Sequence, residues 1–247
     1  MKPCRTWLMM CWCLLLVACG STGNRTKQFK DSDSQSEPEN SPAMLNVKMG
    51  VAYFERNDYD TALEKLKRAL EHNPKLAIAH SAIATVYASM NAQIDAERHY
   101  ELSVRYAPND PTILNNYGTF LCQQGKPLEA IKYYQQTLAN PFYKTPETVH
   151  ENIGVCLMKA DDYVQAEDHF RQALALNPNS TISLYNMVIV SAGKGEGMKA
   201  RAFIQRLEGL TVLDERVLKV AYQVEKKMGN ERAAQSYLAQ LRKLKKS

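Results

Sequence analysis

The chain has 247 residues, 45% of them apolar and 23% charged, enough for one large folded domain or two small ones. Lys and Arg number 31 against 26 Asp and Glu, a formal charge of +5, which falls short of the dense basic footprint of a nucleic-acid binder. Gly (11) and Pro (10) are too sparse for a collagenous or low-complexity chain.

Lys2 and Arg5 precede Trp7 to Val17, an uncharged apolar run. It is shorter than the about 20 residues a membrane-spanning helix needs and has the layout of a secretory signal. The run closes on Leu16-Val17-Ala18-Cys19, which resembles a bacterial lipobox. That resemblance implies cleavage before Cys19, a diacylglycerol on its sulfur and, since Gly20 rather than Asp follows, transfer to the outer membrane. Residues 21–42 are polar, with Phe29 as their one large apolar side chain, and read as a disordered tether. A flexible chain of that length reaches about 25 Å on average. The expected organisation is a signal peptide at 1–18, lipidated Cys19 with its tether to 42, and a folded domain over 43–247.

From residue 43 onward a pattern recurs about every 34 residues. Gly50, Ala62, Leu66, Ala69 and Pro74 are followed by Ala84, Ala96, Tyr100, Ser103 and Pro108. Next come Gly118, Ala130, Tyr134 and Thr137, then Gly154, Ala166, Phe170, Ala173 and Pro178. These are signature positions of the tetratricopeptide repeat (TPR), a pair of antiparallel helices. Repeats are expected at 43–76, 77–110, 111–146, 147–180, 181–214 and 215–247. The fifteenth position of each, in the turn between the paired helices, holds Asn57, Asn91, Gly125, Asp161, Gly195 and Gly229. All six types tolerate a left-handed backbone, although this position plays no part in setting the register. The predicted fold is all-α, a right-handed superhelical solenoid of six repeats, each burying an apolar face against its neighbours.

Chemistry-bearing motifs are missing from this pattern. No G-x-S-x-G, P-loop, H-E-x-x-H or paired C-x-x-C occurs in the folded part. We therefore expect no enzyme, no catalytic residue, no metal, no cofactor and no small-molecule substrate. His80 and His150 occupy the fourth position of their repeats, His99 and His169 the twenty-third. Each like pair is two repeats apart, too far for a shared metal. With Cys4, Cys11 and Cys13 in the signal, Cys122 and Cys156 are the remaining thiols. They sit at positions 12 and 10 of neighbouring first helices. The about 200° between those positions predicts that they face different ways, without a disulfide. The basic ending, from Lys226 and Lys227 through Lys246, reads chiefly as a solvated cap, with a weak contact to anionic lipid or an acidic partner as the alternative.

The concave groove is the candidate binding surface, lined by positions 2, 5, 9, 12 and 13 of each repeat. Repeat 1 offers Met44, Val47, Val51 and Phe54, an apolar stripe. Repeat 3 offers Asn115, Thr119 and Gln123, repeat 4 Glu151 and repeat 5 Tyr185. An amphipathic helix or extended peptide of a partner would fit there; alternatively the repeat 1 stripe packs against the tether.

Signal, lipobox, tether and six repeats together resemble the PilF/PilW family, the pilotin lipoproteins of type IV pilus biogenesis. The segment Leu114-Asn-Asn-Tyr-Gly-Thr-Phe-Leu-Cys122 carries the resemblance most specifically, with Asn140-Pro-Phe-Tyr143 and Glu151-Asn-Ile-Gly154 behind it. What it implies is an outer-membrane, periplasm-facing lipoprotein. It would bind the type IV pilus secretin subunit through the first repeats and promote its localisation and multimerisation, hence pilus biogenesis and twitching motility. Nucleic acid is not an expected partner. The alternative is a TPR lipoprotein adaptor for peptidoglycan hydrolases or for outer-membrane protein assembly.

Overall fold

The computed structural model describes residues 37–244. Cys19, the expected signal and most of the expected tether lie outside the described residues, as do residues 245–247. Within them the chain forms twelve α-helices and no strand. Six first helices, α1 (Pro42–Glu55), α3 (Ala77–Ser89), α5 (Pro111–Gln123), α7 (Pro146–Lys159), α9 (Thr181–Gly193) and α11 (Glu215–Lys227), alternate with six second helices. These are α2 (Tyr59–His72), α4 (Gln93–Tyr106), α6 (Pro127–Leu138), α8 (Tyr163–Leu176), α10 (Gly197–Glu208) and α12 (Glu231–Leu244).

Local chemistry explains the boundaries. Asp58, Asp110, Asp162, Ser180 and Asp214 cap helices by accepting from backbone N–H groups two or three residues on, satisfying donors that a helix start leaves open. Pro42, Pro111, Pro127 and Pro146 open helices, where the missing N–H costs nothing. Pro74, Pro108 and Pro178 fall in the links after second helices. In the tight turns, Asn57, Asn91 and Asp161 have φ of 60°, 59° and 59°, and Gly125, Gly195 and Gly229 have φ of 74°, 77° and 75°. The left-handed backbone expected at that position is present six times.

Each first helix packs antiparallel on the second helix of its pair, and each of α3, α5, α7 and α9 also reaches the pairs on both sides. Successive first helices touch one another, while successive second helices do not. First helices therefore line the shorter, concave side. Glycine at the eighth repeat position makes the close approach possible. A Cβ on Gly118 would sit 2.9 Å from the Tyr134 ring, and one on Gly154 would sit 2.7 Å from the Phe170 ring. Repeats 5 and 6 solve the same problem differently. Ile204 replaces the aromatic residue, and buried Glu225 stands where repeats 1–4 carry a bulky apolar side chain. Arg201 on α10 holds Glu225 through Nε–Oε1 and Nη2–Oε2 contacts of 2.6 and 2.5 Å. A buried carboxylate is tolerable only with such a partner.

The ordered body begins before the helical repeat does. Asn73 donates to Glu37 at 2.7 Å, Lys48 pairs with Glu39 at 3.0 Å, and Ser41 accepts from the Met44 N–H. Residues 37–42, which composition assigns to the tether, are thus fastened to α1 and the α2–α3 link.

Cys122 and Cys156 form a disulfide, with Cα atoms 5.6 Å apart. The expectation that they face apart fails for a geometric reason. Two stacked helices running the same way present opposite faces to each other. Residues about 180–200° apart on one helical wheel are therefore the ones that meet. The bond crosses from α5 to α7 and lies in the central core with Tyr117, Phe120, Tyr134, Ile153 and Phe170.

Candidate functional site

The groove is built from the first helices, and its two ends differ. At repeats 1–3, Val51 and Phe54 of α1, Ile78, Ala82 and Thr85 of α3 and Asn116 of α5 surround an open cavity of about 250 Å³. Val51 is 38% exposed. The Phe54 ring is half-buried and leans on Tyr59, with centroids 5.8 Å apart. Burying the part of each that is still exposed against a partner is worth about 0.5–1 kcal/mol apiece.

Not every expected groove residue reaches this surface. Val47 is only 4% exposed and packs in the core of repeats 1 and 2, with Met44 half-buried beside it. Asn115 is buried and accepts from Asn152 of the next first helix at 3.1 Å. Glu151 is buried too, accepting from the Ser180 hydroxyl and, at 3.0 Å, from that of Ser183. Val47, Asn115 and Glu151 all occupy the fifth repeat position. Asn116 and Asn152, at the sixth position, reach back to Ser81 and Asn115 on the preceding helix at 3.4 and 3.1 Å. The fifth position is therefore the seam between successive first helices, and these three side chains hold the solenoid together rather than face a ligand.

The remaining candidates divide further. The Thr119 hydroxyl donates to the Asn115 carbonyl at 3.0 Å and accepts from Tyr134 at 3.1 Å, tying α5 to α6. Gln123 is exposed. Tyr185 is half-buried, with the Arg216 guanidinium 5.8 Å from its ring centre. Ile78, Ala82, Thr85 and Asn116 are absent from the sequence-based selection. Ile78 and Thr85 occupy the second and ninth positions of repeat 2, so applying the groove positions there finds them. Ala82 and Asn116 are visible only once the seam is known.

Two histidine contacts repeat along the body. His80 and His99 face each other at 3.0 Å between Nδ1 atoms, and His150 and His169 at 3.1 Å. Comparing like positions two repeats apart misses both pairs, because each joins the first and second helix of one repeat. The Pro74 carbonyl, 3.1 Å from His80 Nε2, can only accept. His80 therefore carries its proton on Nε2, and His99 Nδ1–H donates to His80 Nδ1. Burial is the main cause that lowers the His99 pKa to about 4, helped by the neighbouring His80, Arg98 and Lys67 and opposed by Asp95. Among the described residues no group of three or more His, Cys, Asp or Glu converges as a metal site would require.

Comparison with known proteins gives a consistent picture. Residues 122–245 match the family model of the cilia and flagella-associated protein 70 middle TPR-like domain, and residues 50–91 match that of the TPR repeat. The type IV pilus assembly protein PilF of Pseudomonas aeruginosa is 25% identical over 231 residues, spanning 94% of this chain and 92% of that protein. An uncharacterized protein of Haemophilus influenzae is 32% identical over 133 residues, 53% of this chain and 74% of its own length. Among solved structures, that of PilW, a widely conserved type IV pilus biogenesis factor, superposes with a TM-score of 0.76 at 26% identity. The match covers 82% of this chain and 93% of PilW. The structure of Pseudomonas aeruginosa PilF gives 0.77 at 26% identity, covering 82% and 91%.

Proposed function

Because the chain belongs to the tetratricopeptide-repeat proteins, and among them to the PilF/PilW-like family of type IV pilus biogenesis, we propose that it is the lipid-anchored pilotin of that system. On this reading it binds the secretin subunit and promotes its assembly in the outer membrane. The supporting observation is the cavity between α1, α3 and α5, where Val51 and Phe54 expose apolar surface inside the concave face. An amphipathic helix or strand of the subunit fits such a groove. Acyl chains on Cys19 would supply location and the groove recognition. Confining both to one membrane raises the subunits' effective concentration for ring closure without any new contact. The contribution is that of a scaffold, with no chemical step.

The test is gentle solubilisation of cell envelopes followed by capture of this protein and identification of what accompanies it. The secretin subunit is expected with the native chain. It should be lost in Val51→Lys/Phe54→Lys, whose helicity and melting of repeats 2–6 should be unchanged. Cys19→Ala should move the protein out of the membrane fraction and leave secretin rings unassembled. Recovery of cell-wall hydrolases without secretin would reject the reading in favour of a general lipoprotein adaptor.

A further inference from the structure

The last first helix turns a different chemistry toward the groove. At the groove positions repeat 6 holds Arg216, Lys219, Gln223, Lys226 and Lys227, four cations and no anion. All five are exposed. Their spacing places them along one side of α11, opposite buried Val217, Leu218, Ala221 and Val224. Repeat 1 has one charge at these positions, Glu55, and repeat 3 has none. The two ends of the row of first helices therefore differ, apolar at the first and cationic at the last.

Lys219 pairs with Glu215 at 2.6 Å, both more than half exposed, a contact worth little in water and screened by salt. Arg216 lies over the Tyr185 ring and Lys226 over the Tyr222 ring. These stacks orient the cations without neutralising them. Beside the stripe, between α9 and α11, opens a cavity of about 510 Å³. Ile189, Ala192, Val220 and Val224 give it apolar walls, and Gln223 and Lys227 stand at its rim.

We propose that this end of the groove is a second docking site, for an acidic segment of a protein partner. An apolar side chain of that segment enters the α9–α11 cavity while its flanking carboxylates face Lys227 at the cavity and reach Lys219 and Lys226 farther round α11. The site rests on the groove reading above but uses different residues. Charge complementarity of this kind fixes the direction of a bound segment and speeds encounter. A flat anionic lipid surface is a poorer match, because it offers no apolar side chain to the cavity between α9 and α11.

The probe is a fluorescently labelled synthetic peptide of alternating Glu and Leu, titrated against the full lipidated chain in neutral-headgroup micelles. Saturable binding is expected, weakening several-fold as salt rises from about 0.05 to about 0.3 M. Lys219→Glu/Lys226→Glu/Lys227→Glu should weaken it at least about ten-fold with an unchanged melting curve. Val51→Lys/Phe54→Lys should leave it intact, so failure here is distinguishable from failure of the secretin contact. No peptide binding, or equal binding to the charge-reversed variant, overturns the proposal. So does a Cys19→Ala chain that binds vesicles of phosphatidylethanolamine and phosphatidylglycerol through the same lysines while the peptide is ignored.

Discussion

At neutral pH the rings of His80 and His99 share one proton between facing Nδ1 atoms. A second proton there would set two donors against each other in a half-buried site. The folded pKa of His99 is lowered to about 4 from an ordinary 6.5, and His80, His150 and His169 are also lowered, burial leading in each. The neutral forms are the ones that fold. Their stability is fully present above about pH 6.5 and is lost as pH falls toward 4, because the unfolded chain takes up protons that the folded one refuses. With partial exposure discounted, His99 should contribute about 1–2 kcal/mol of this loss. Melting temperature should therefore fall from pH 7 to pH 5. In His99→Leu/His169→Leu that fall should shrink by at least half; an unchanged pH slope would remove the pairs from the explanation.

Between elements, the contact of α5 with α7 carries two constraints of different kinds. Asn152 reaches Asn115 across the seam, and Cys122 is bonded to Cys156. Closing a loop of that length removes unfolded-state entropy worth about 3–4 kcal/mol. Reduction, or Cys122→Ala/Cys156→Ala, should lower stability by about that much and act first on the central repeats. Denaturant melts with and without reductant measure this directly. The same helices are tight enough that added volume is costly. Gly154→Val would press into the Phe170 ring and should cost about 1–3 kcal/mol or more, whereas a substitution at exposed Gln123 should cost nearly nothing.

For the whole body, each pair contacts only its neighbours, so damage should stay local. Arg201→Ala leaves the buried Glu225 carboxylate without its guanidinium and should destabilise the last two repeats. Hydrogen exchange should accelerate in α10–α12 while α1–α6 keep their protection. Uniform acceleration across all twelve helices would mean that the solenoid unfolds as one unit. Glu167 is a second such point. Burial works against its charge, but hydrogen bonds from Lys194 and Lys199 prevail and hold its pKa at about 2, joining α8 to repeat 5.

Order along the chain carries the repeat: its period, the turn residues at the fifteenth position and the small–aromatic pairing at positions 8 and 24. These are local requirements of a helical hairpin, each met by a residue type. Repeats 5 and 6 stay recognisable through Gly195 and Gly229 even where Glu225 replaces the bulky residue. Facts that depend on how one pair is set against the next are not written in that order. The Cys122–Cys156 bond, the burial of Val47, Asn115 and Glu151 at the seam, and the meeting of His80 with His99 all follow from the angle and offset between packed helices. Periodicity shows which face of a helix is apolar, but only the packed solenoid decides which part of that face a neighbour covers and which part is left to a partner.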